Sequence, residues 1–466
     1  MTTSWVLLLF TSCLAVVVVR SKASWGHRLA LNSVAVLDAM LDTGDEDAKL
    51  AALEQATTRL IKSLFAFVGL LAVGLLLLLA PWKLAAQLPW SMLTTWSHVL
   101  SLSLGGTAGL FVPMGRQAVS SHAPLDQLWH RMVLNHPNVH LWLMRRDIAA
   151  WQRQGGTPKP GFLLITGLAR SGTTSVLERL ASSDRFHSLG YANMPLVLAP
   201  NLWKRFYNPK GGEKRERSHG DGIMVGLDSA EALEEVFFQA ITRREYCATR
   251  ALESHDLTED QHDMYLAYQG TALAAGDATD AMYVAKNNNA LLRYRALRRM
   301  NREFHAVVMF RDPLTHAASL LAMHKKYCSM QGDDPFVLEY MNWLAHHEFG
   351  LGHKPFQFST TTQLPTEDPN TLDHWLQLWI NHHQEVLALD NHRLHLVSYE
   401  AYCAHPQAVL QAIVDETHMD ARMETYPAYT KVRPVDHAAS PALLEEARRI
   451  HQALLAQQPP SIQSQG

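Results

Sequence analysis

Cysteine is scarce: Cys13, Cys247, Cys328 and Cys403 are the only four in 466 residues. They form no CxxC pair, so neither a disulfide framework nor a zinc finger is indicated, and the spacing fits a reducing compartment. An excess of one charge sign is also missing. The chain has 41 Lys+Arg against 44 Asp+Glu and no long basic block, which argues against a nucleic-acid partner. Histidine, by contrast, is plentiful at 25 residues, with adjacent pairs at His346-His347 and His382-His383. The run from His346 through Glu348 to His353 does not match HExxH or another metal spacing. These histidines read as solvated or hydrogen-bonded side chains, and no metal is expected.

Charge is absent again from long stretches of the amino-terminal third. Met1 to Val19 and Ser63 to Trp82 carry no charged side chain. A helix needs about 20 apolar residues to cross the hydrocarbon core, which the second stretch supplies and the first approaches. A signal peptide wants basic residues ahead of its apolar run. Here Arg20, Lys22 and Arg28 follow the run, so the first segment reads as a retained anchor. Leu84 to Gly115 again lacks Asp, Glu, Lys and Arg, and Leu93–Pro113 reads as a third crossing or an interfacial helix. Basic residues at both ends of the 20–62 loop (Arg20, Lys22, Arg28, Arg59, Lys62) place that loop in the cytoplasm. If Leu93–Pro113 crosses, the chain behind it is cytoplasmic as well.

Beyond Arg116 the hydropathy drops. Leu125 to Gln154 has helical periodicity, and Gly155-Gly156-Thr157-Pro158-Lys159-Pro160 breaks it. Four continuous apolar runs follow: Phe162–Ile165, Met282–Ala285, Ala306–Phe310 and Leu394–Val397. Continuous rather than alternating runs suit strands covered on both faces. Helical stretches between them, such as Ser229–Glu245 and Leu291–Glu303, give the alternation of a parallel α/β sheet flanked by helices. Ligands bind such sheets at the carboxyl ends of the strands. Polar residues gather there: Gly167–Thr174, Lys286-Asn287, Arg311-Asp312 and Tyr399-Glu400. His353–Asn370 reads as a polar surface insertion, and the chain from Gln457 as a disordered tail.

The run Gly167-Leu168-Ala169-Arg170-Ser171-Gly172-Thr173-Thr174 sits between a strand and a helix start. Its backbone amides and the helix amino terminus make an anion site. The Gly167-x4-Gly172 spacing is that of a Walker A loop, but Thr173 stands where the lysine is due. That lysine reaches the β- and γ-phosphates of a triphosphate, so its loss counts against kinases and NTPases. Arg170 supplies the cation instead.

Leu164–Thr174 resembles the 5′-phosphosulfate loop of the PAPS-dependent sulfotransferases, with Ala169 where proline is usual. Arg311-Asp312-Pro313-Leu314-Thr315-His316-Ala317-Ala318-Ser319 resembles the family's 3′-phosphate motif, an arginine at a strand end with serine eight residues on. Tyr191–Pro195, Pro200–Trp203, His219–Ile223, Lys286–Asn289 and Val397–Glu400 are similar to segments of a bacterial branch of that family. The family's closing arginine-lysine-glycine element has only Lys431 and Arg433 as weak substitutes.

The resemblance implies a P-loop-like sulfotransferase fold over about 160–440. It would follow a membrane segment at 1–115 with two or three transmembrane helices and a helical linker at 116–159, and precede a helical or disordered tail at 441–466. It implies transfer of a sulfonate from PAPS, as co-substrate, to a hydroxyl or amine. Arg170, Ser171, Gly172, Thr173 and Thr174 would hold the phosphosulfate, Arg311 and Ser319 the 3′-phosphate, with Tyr399 near the nucleotide. Lys286 and Arg170 would stabilise charge on the bridging oxygen. His219 paired with Asp221 is the expected base, with Glu231, Glu234 and Glu235 as runners-up. Asn288 stands where the family has a histidine. A membrane setting suggests a lipid, glycan or other small-molecule acceptor. The competing readings are a nucleotide kinase or NTPase with a degenerate Walker A loop, and a membrane scaffold keeping the nucleotide fold.

Overall fold

A computed structural model describes residues 2–41, 46–84, 96–111, 134, 137–207, 215–216, 224–225, 232–359, 362–366, 368–429, 435 and 439–463. The chain divides into two compact units, Met1–Val139 and His140–Gly466.

The first unit holds helices α1 (Thr2–Ser21), α2 (Ala23–Leu41), α3 (Glu46–Leu84) and α4 (Trp96–Phe111). One helix, Lys49–Leu79 within α3, is long and apolar enough to cross a membrane, and its Phe65, Val68, Leu75 and Leu76 are exposed. A second span arises if Val6–Ser21 and Ser24–Ala30, bent by 43°, count as one. The expected crossing at 93–113 contributes the 16 residues of α4, about 24 Å at helical rise. That falls short of a hydrocarbon core of about 30 Å. Small residues let α4 lie close along α1. A Cβ on Gly105 would come within 2.2 Å of the Leu9 carbonyl, and one on Gly109 within 2.7 Å of the Cys13 carbonyl. Arg20 Nη1 then donates to the Gly109 carbonyl (2.5 Å). Ascending residue numbers match ascending residue numbers, so α1 and α4 run parallel. Gly26 beside Phe67 and Gly74 beside Val19 show that α3 runs the other way.

The second unit, which takes in most of helix α5 (Pro137–Arg153), is built on a five-stranded parallel sheet. Its strands are β1 (Phe162–Thr166), β2 (Phe186–His187), β3 (Met282–Lys286), β4 (His305–Phe310) and β5 (Leu394–Ser398), in the spatial order β2-β3-β1-β4-β5. Ile165 pairs with Lys286 and Val307, and Phe310 with Ser398. Every residue of β1 is buried, which explains why the strands are continuous apolar runs. Leu163 and Ile165 face a core shared with Val176, Leu177, Val409 and Ile413. Phe162 points the other way, stacked on Phe304 at 4.8 Å and edge-on to Tyr265 at 5.5 Å. The chain leaves β1 for one edge of the sheet and reaches β4 on the other side. The crevice between those two strands is the point where the winding reverses, the usual ligand position in open α/β sheets.

Several expected elements differ in extent. Among the described residues, Ser229–Glu245 yields only helix α7 (Glu235–Ile241), and Leu291–Glu303 breaks before α8 (Tyr294–Met300). The break falls at Arg293, whose guanidinium is drawn inward to Glu235 (2.6 and 2.7 Å). The described residues at both ends of the expected insertion His353–Asn370 are held in place. Phe356–Gln357 pairs with Leu252–Glu253, and the Pro369 carbonyl accepts from Trp375 Nε1 (2.8 Å). Near the carboxyl end, Ile462 is buried in the same core as Val176, so the chain past Gln457 is anchored by an apolar side chain among polar ones.

Candidate active site

The loop after β1 has a backbone that few residues accept. Gly167 has φ 142°, Arg170 φ 72° and Gly172 φ 95°. A Cβ on Gly167 would lie 2.4 Å from the Met309 carbonyl oxygen, and one on Gly172 2.8 Å from the Tyr399 ring. Both glycines are therefore required by φ and by contact. Arg170 holds a left-handed conformation with a side chain, a strain of the kind found at functional sites. Helix α6 (Thr173–Ala181) starts directly behind Gly172 with no side-chain cap, which leaves its first amides facing the loop. Ser171 is fully buried, and its hydroxyl has no hydrogen-bond partner among the described residues.

From underneath, His316 supports this loop. Its Nε2 lies 2.8 Å from the Ala169 carbonyl. Burial, reinforced by Arg311 and Arg170, holds its pKa well below the usual imidazole value. The ring is therefore neutral, and Nε2 carries the proton that it donates.

Helix α9 (Pro313–Asp333) begins at the end of β4, where Asp312 accepts from Thr315 N (2.9 Å) and Pro313 fills the first turn. This cap directs Ser319 toward the loop, and Arg170 Nε lies 3.5 Å from its hydroxyl. Arg311 lies over the Tyr399 ring, 4.6 Å from its centroid, at the end of β5. Its Nε is buried without a hydrogen-bond partner among the described residues. Three cations, Lys286, Arg170 and Arg311, thus follow the adjacent strands β3, β1 and β4. An unpartnered guanidinium nitrogen and hydroxyl beside helix amides fit an anionic ligand.

On the other flank, Lys286 ends β3 and is 9% exposed. The next three residues each anchor a different segment. Asn287 N donates to the Ile165 carbonyl (2.9 Å), and its amide reaches Glu235 Oε2 (2.8 Å) and Glu234 Oε2 (3.3 Å). Asn288 Nδ2 donates to Glu348 Oε1 (2.9 Å), and Asn289 Nδ2 to the Ala345 carbonyl (3.2 Å). Burial opposes ionisation of Glu235, but Arg293 outweighs it and the carboxyl stays below its usual pKa. Burial raises Glu234 to about 7, against hydrogen bonds from Tyr265 and Asn287 that lower it. Burial also opposes ionisation of Glu348, yet His346, Lys286 and Asn288 together hold its carboxyl well below the usual range.

The structure thus brings Arg170, Ser171, Gly172, Thr173, Thr174, Arg311, Ser319, Tyr399 and Lys286 to one edge of the sheet. Glu234 and Glu235 lie buried beneath Asn287. His219, Asp221, Glu231, Lys431 and Arg433 lie outside the described residues. Sequence reasoning missed His316 and the His346–Glu348 pair, since both act across more than fifty intervening residues. The Asn287-Asn288-Asn289 run marks the place without naming its partners. Among the described residues, no group of three metal-ligating side chains is placed to hold an ion.

Fold and site together define a parallel α/β protein with a cationic crevice at its strand ends and a phosphate-type loop lacking the Walker lysine. No family model and no curated protein matches the chain. Among solved structures it is similar to sulfotransferase STF1 from Mycobacterium tuberculosis H37Rv, at 14% identity and TM-score 0.37 over 71% of this chain and 81% of that one. It is also similar to sulfotransferase STF9 from Mycobacterium avium, at 11% identity and TM-score 0.37 over 71% and 78%. A sulfotransferase domain from the curacin biosynthetic pathway is matched at 14% identity and TM-score 0.30, over 65% of this chain and all of the domain.

Proposed function

We propose that this chain is a membrane-anchored sulfotransferase that moves a sulfonate from PAPS to a hydroxyl or amine of a lipid, glycan or other small-molecule acceptor. The observation that carries the reading is the approach of Arg170 to Ser319, 3.5 Å apart and 149 residues distant in sequence. Two motifs that resemble the two phosphate sites of one cofactor meet in one crevice. A ligand charged at both ends suits that arrangement better than a single phosphate would.

In this reading the loop amides, Thr173 and Thr174 hold the 5′-phosphosulfate. Arg311 and Ser319 take the 3′-phosphate, with the Tyr399 ring holding the Arg311 guanidinium. PAPS supplies the sulfonate and a good leaving group. Arg170 and Lys286 stabilise the charge that develops as the bridging bond opens. A kinase reading would want Asp312 as a metal-binding carboxylate, but Asp312 caps α9. The test is calorimetry on the full chain with PAP, the desulfated donor, and with ATP, with and without magnesium. Binding of PAP without magnesium is expected. Magnesium-dependent ATP binding with no PAP binding overturns the reading in favour of a kinase or NTPase.

A further inference from the structure

The proposed transfer needs a group to take the acceptor's proton, and one histidine–carboxylate pair stands beside Lys286. His346 Nδ1 lies 3.4 Å from Glu348 Oε1. The same oxygen accepts from Asn288, two residues beyond Lys286, at 2.9 Å. The two side chains differ in access: 10% of Glu348 is exposed against 24% of His346. The carboxylate is therefore the more enclosed of the two, and the ring keeps the solvent access that a base needs. Neighbouring His347 points elsewhere, with Nδ1 2.8 Å from the Gly352 carbonyl and Nε2 3.5 Å from Cys247 Sγ.

The pair is rigidly mounted. Ala345, just before His346, is buried with φ 55°, a left-handed conformation that alanine adopts only when its surroundings impose it. Asn289 holds the Ala345 carbonyl and Asn288 holds Glu348. The strand end that presents Lys286 thereby fixes both ends of the turn that presents His346. Glu234 is the other carboxyl that could serve. It is sealed under Asn287 and Tyr265, and a base must first reach the proton it takes.

We infer that His346 is the general base of the transfer, with Glu348 as its positioning residue; this rests on the sulfotransferase reading. The imidazole takes the proton from the acceptor O–H or N–H. The freed electron pair forms the new bond to sulfur while the bond from sulfur to the 5′-phosphate oxygen breaks. PAP leaves with that bonding pair. The imidazolium is balanced by Glu348 until it gives its proton to solvent. Charged and titratable groups around the pair include His347, which His346 and Glu348 both influence, and Lys286, which acts on Glu348.

The experiment follows single-turnover release of sulfate from PAPS to water by the full chain, with PAP affinity measured in parallel by calorimetry. For His346→Ala, release should fall by about 100-fold or more, with PAP affinity unchanged. Added imidazole should restore part of the rate, which repair of a merely structural defect would not show. Glu348→Gln should lower the rate by a smaller factor and leave PAP affinity intact. Full turnover in His346→Ala overturns the assignment, as does a loss that imidazole does not rescue. Equally, an imidazole-rescued loss in His219→Ala with His346→Ala active transfers the role to His219. A wild-type chain that binds PAP but releases no sulfate above the buffer rate also overturns it. Failure of the wild type to bind PAP overturns the sulfotransferase reading itself.

Discussion

At the scale of single residues, the crevice holds a buried donor nitrogen that a charged partner would satisfy. It belongs to Arg311, with its guanidinium over the Tyr399 ring and its Nε buried and unpartnered among the described residues. Hydrogen bonds to a charged group contribute about 1.5–3 kcal/mol. Arg311→Ala should therefore weaken PAP binding roughly 10- to 100-fold, read by calorimetry, and unchanged affinity would remove Arg311 from the site. Glu234 gives a stability prediction. Its carboxyl rises from an ordinary 4.5 to about 7, mainly by burial. The folded state therefore holds this proton more tightly than the unfolded chain does. Its contribution is fully present below pH 4.5 and is lost as pH rises through about 7. Wild-type stability should fall over that window by at most roughly 1.4 kcal/mol per pH unit from this group. Glu234→Gln should flatten the slope when unfolding midpoints are compared from pH 5 to pH 8, about the window of the shift. A slope that survives the substitution assigns the dependence to other groups.

At the scale of elements, the strands and the loop were legible in the sequence because each has a local physical signature. Phe162–Ile165 and Ala306–Phe310 are apolar throughout since both faces of the sheet are covered. Gly167 and Gly172 flag a loop because no other residue accepts their φ values. The neighbours of that loop were not legible. Ala345 is left-handed without being glycine, and Glu348 meets Asn288 across sixty residues, so local pattern carries no trace of either. The same limit made His346 look like one more surface histidine. Helix ends were blurred where a single tertiary contact decides, as at Arg293, where the pull of Glu235 overrides a continuous helical pattern. The loop itself is testable as an element. Gly167→Ala would place a methyl 2.4 Å from the Met309 carbonyl oxygen at φ 142°. Strain of this kind costs about 1–3 kcal/mol before any clash. The variant should lose PAP binding and unfold at lower temperature in a thermal scan. Retention of both would show that the loop tolerates another backbone.

At the scale of the whole molecule, the proposed membrane anchoring makes the side on which residues 140–466 would lie a matter for experiment. Within α3, Arg59 and Lys62 precede the uncharged stretch Ser63–Trp82, and the helix runs opposite to α1, whose end carries Arg20. If the chain spans a membrane, the preference of basic residues for the cytoplasmic side would end α1 there and start the uncharged part of α3 from there. A single crossing by α3 would strand everything behind it outside. Helix α4 lies parallel to α1 and ends beside it, with the Gly109 carbonyl accepting from Arg20. Close packing through Gly105 and Gly109 is what helix pairs use in a bilayer, where small residues replace the hydrophobic drive. The 16 residues of α4 are short, but Leu84 to Gly115 carries no charge, and a short span costs a bilayer only modestly. If α4 crosses parallel to α1, the expected outcome is that residues 140–466 lie on the side on which α1 ends, the cytoplasmic one. Fused to the carboxyl terminus of the full chain in a bacterial host, green fluorescent protein should therefore fluoresce and alkaline phosphatase should stay inactive. The reverse pattern would mean that α4 does not cross and that residues 140–466 lie on the outer face.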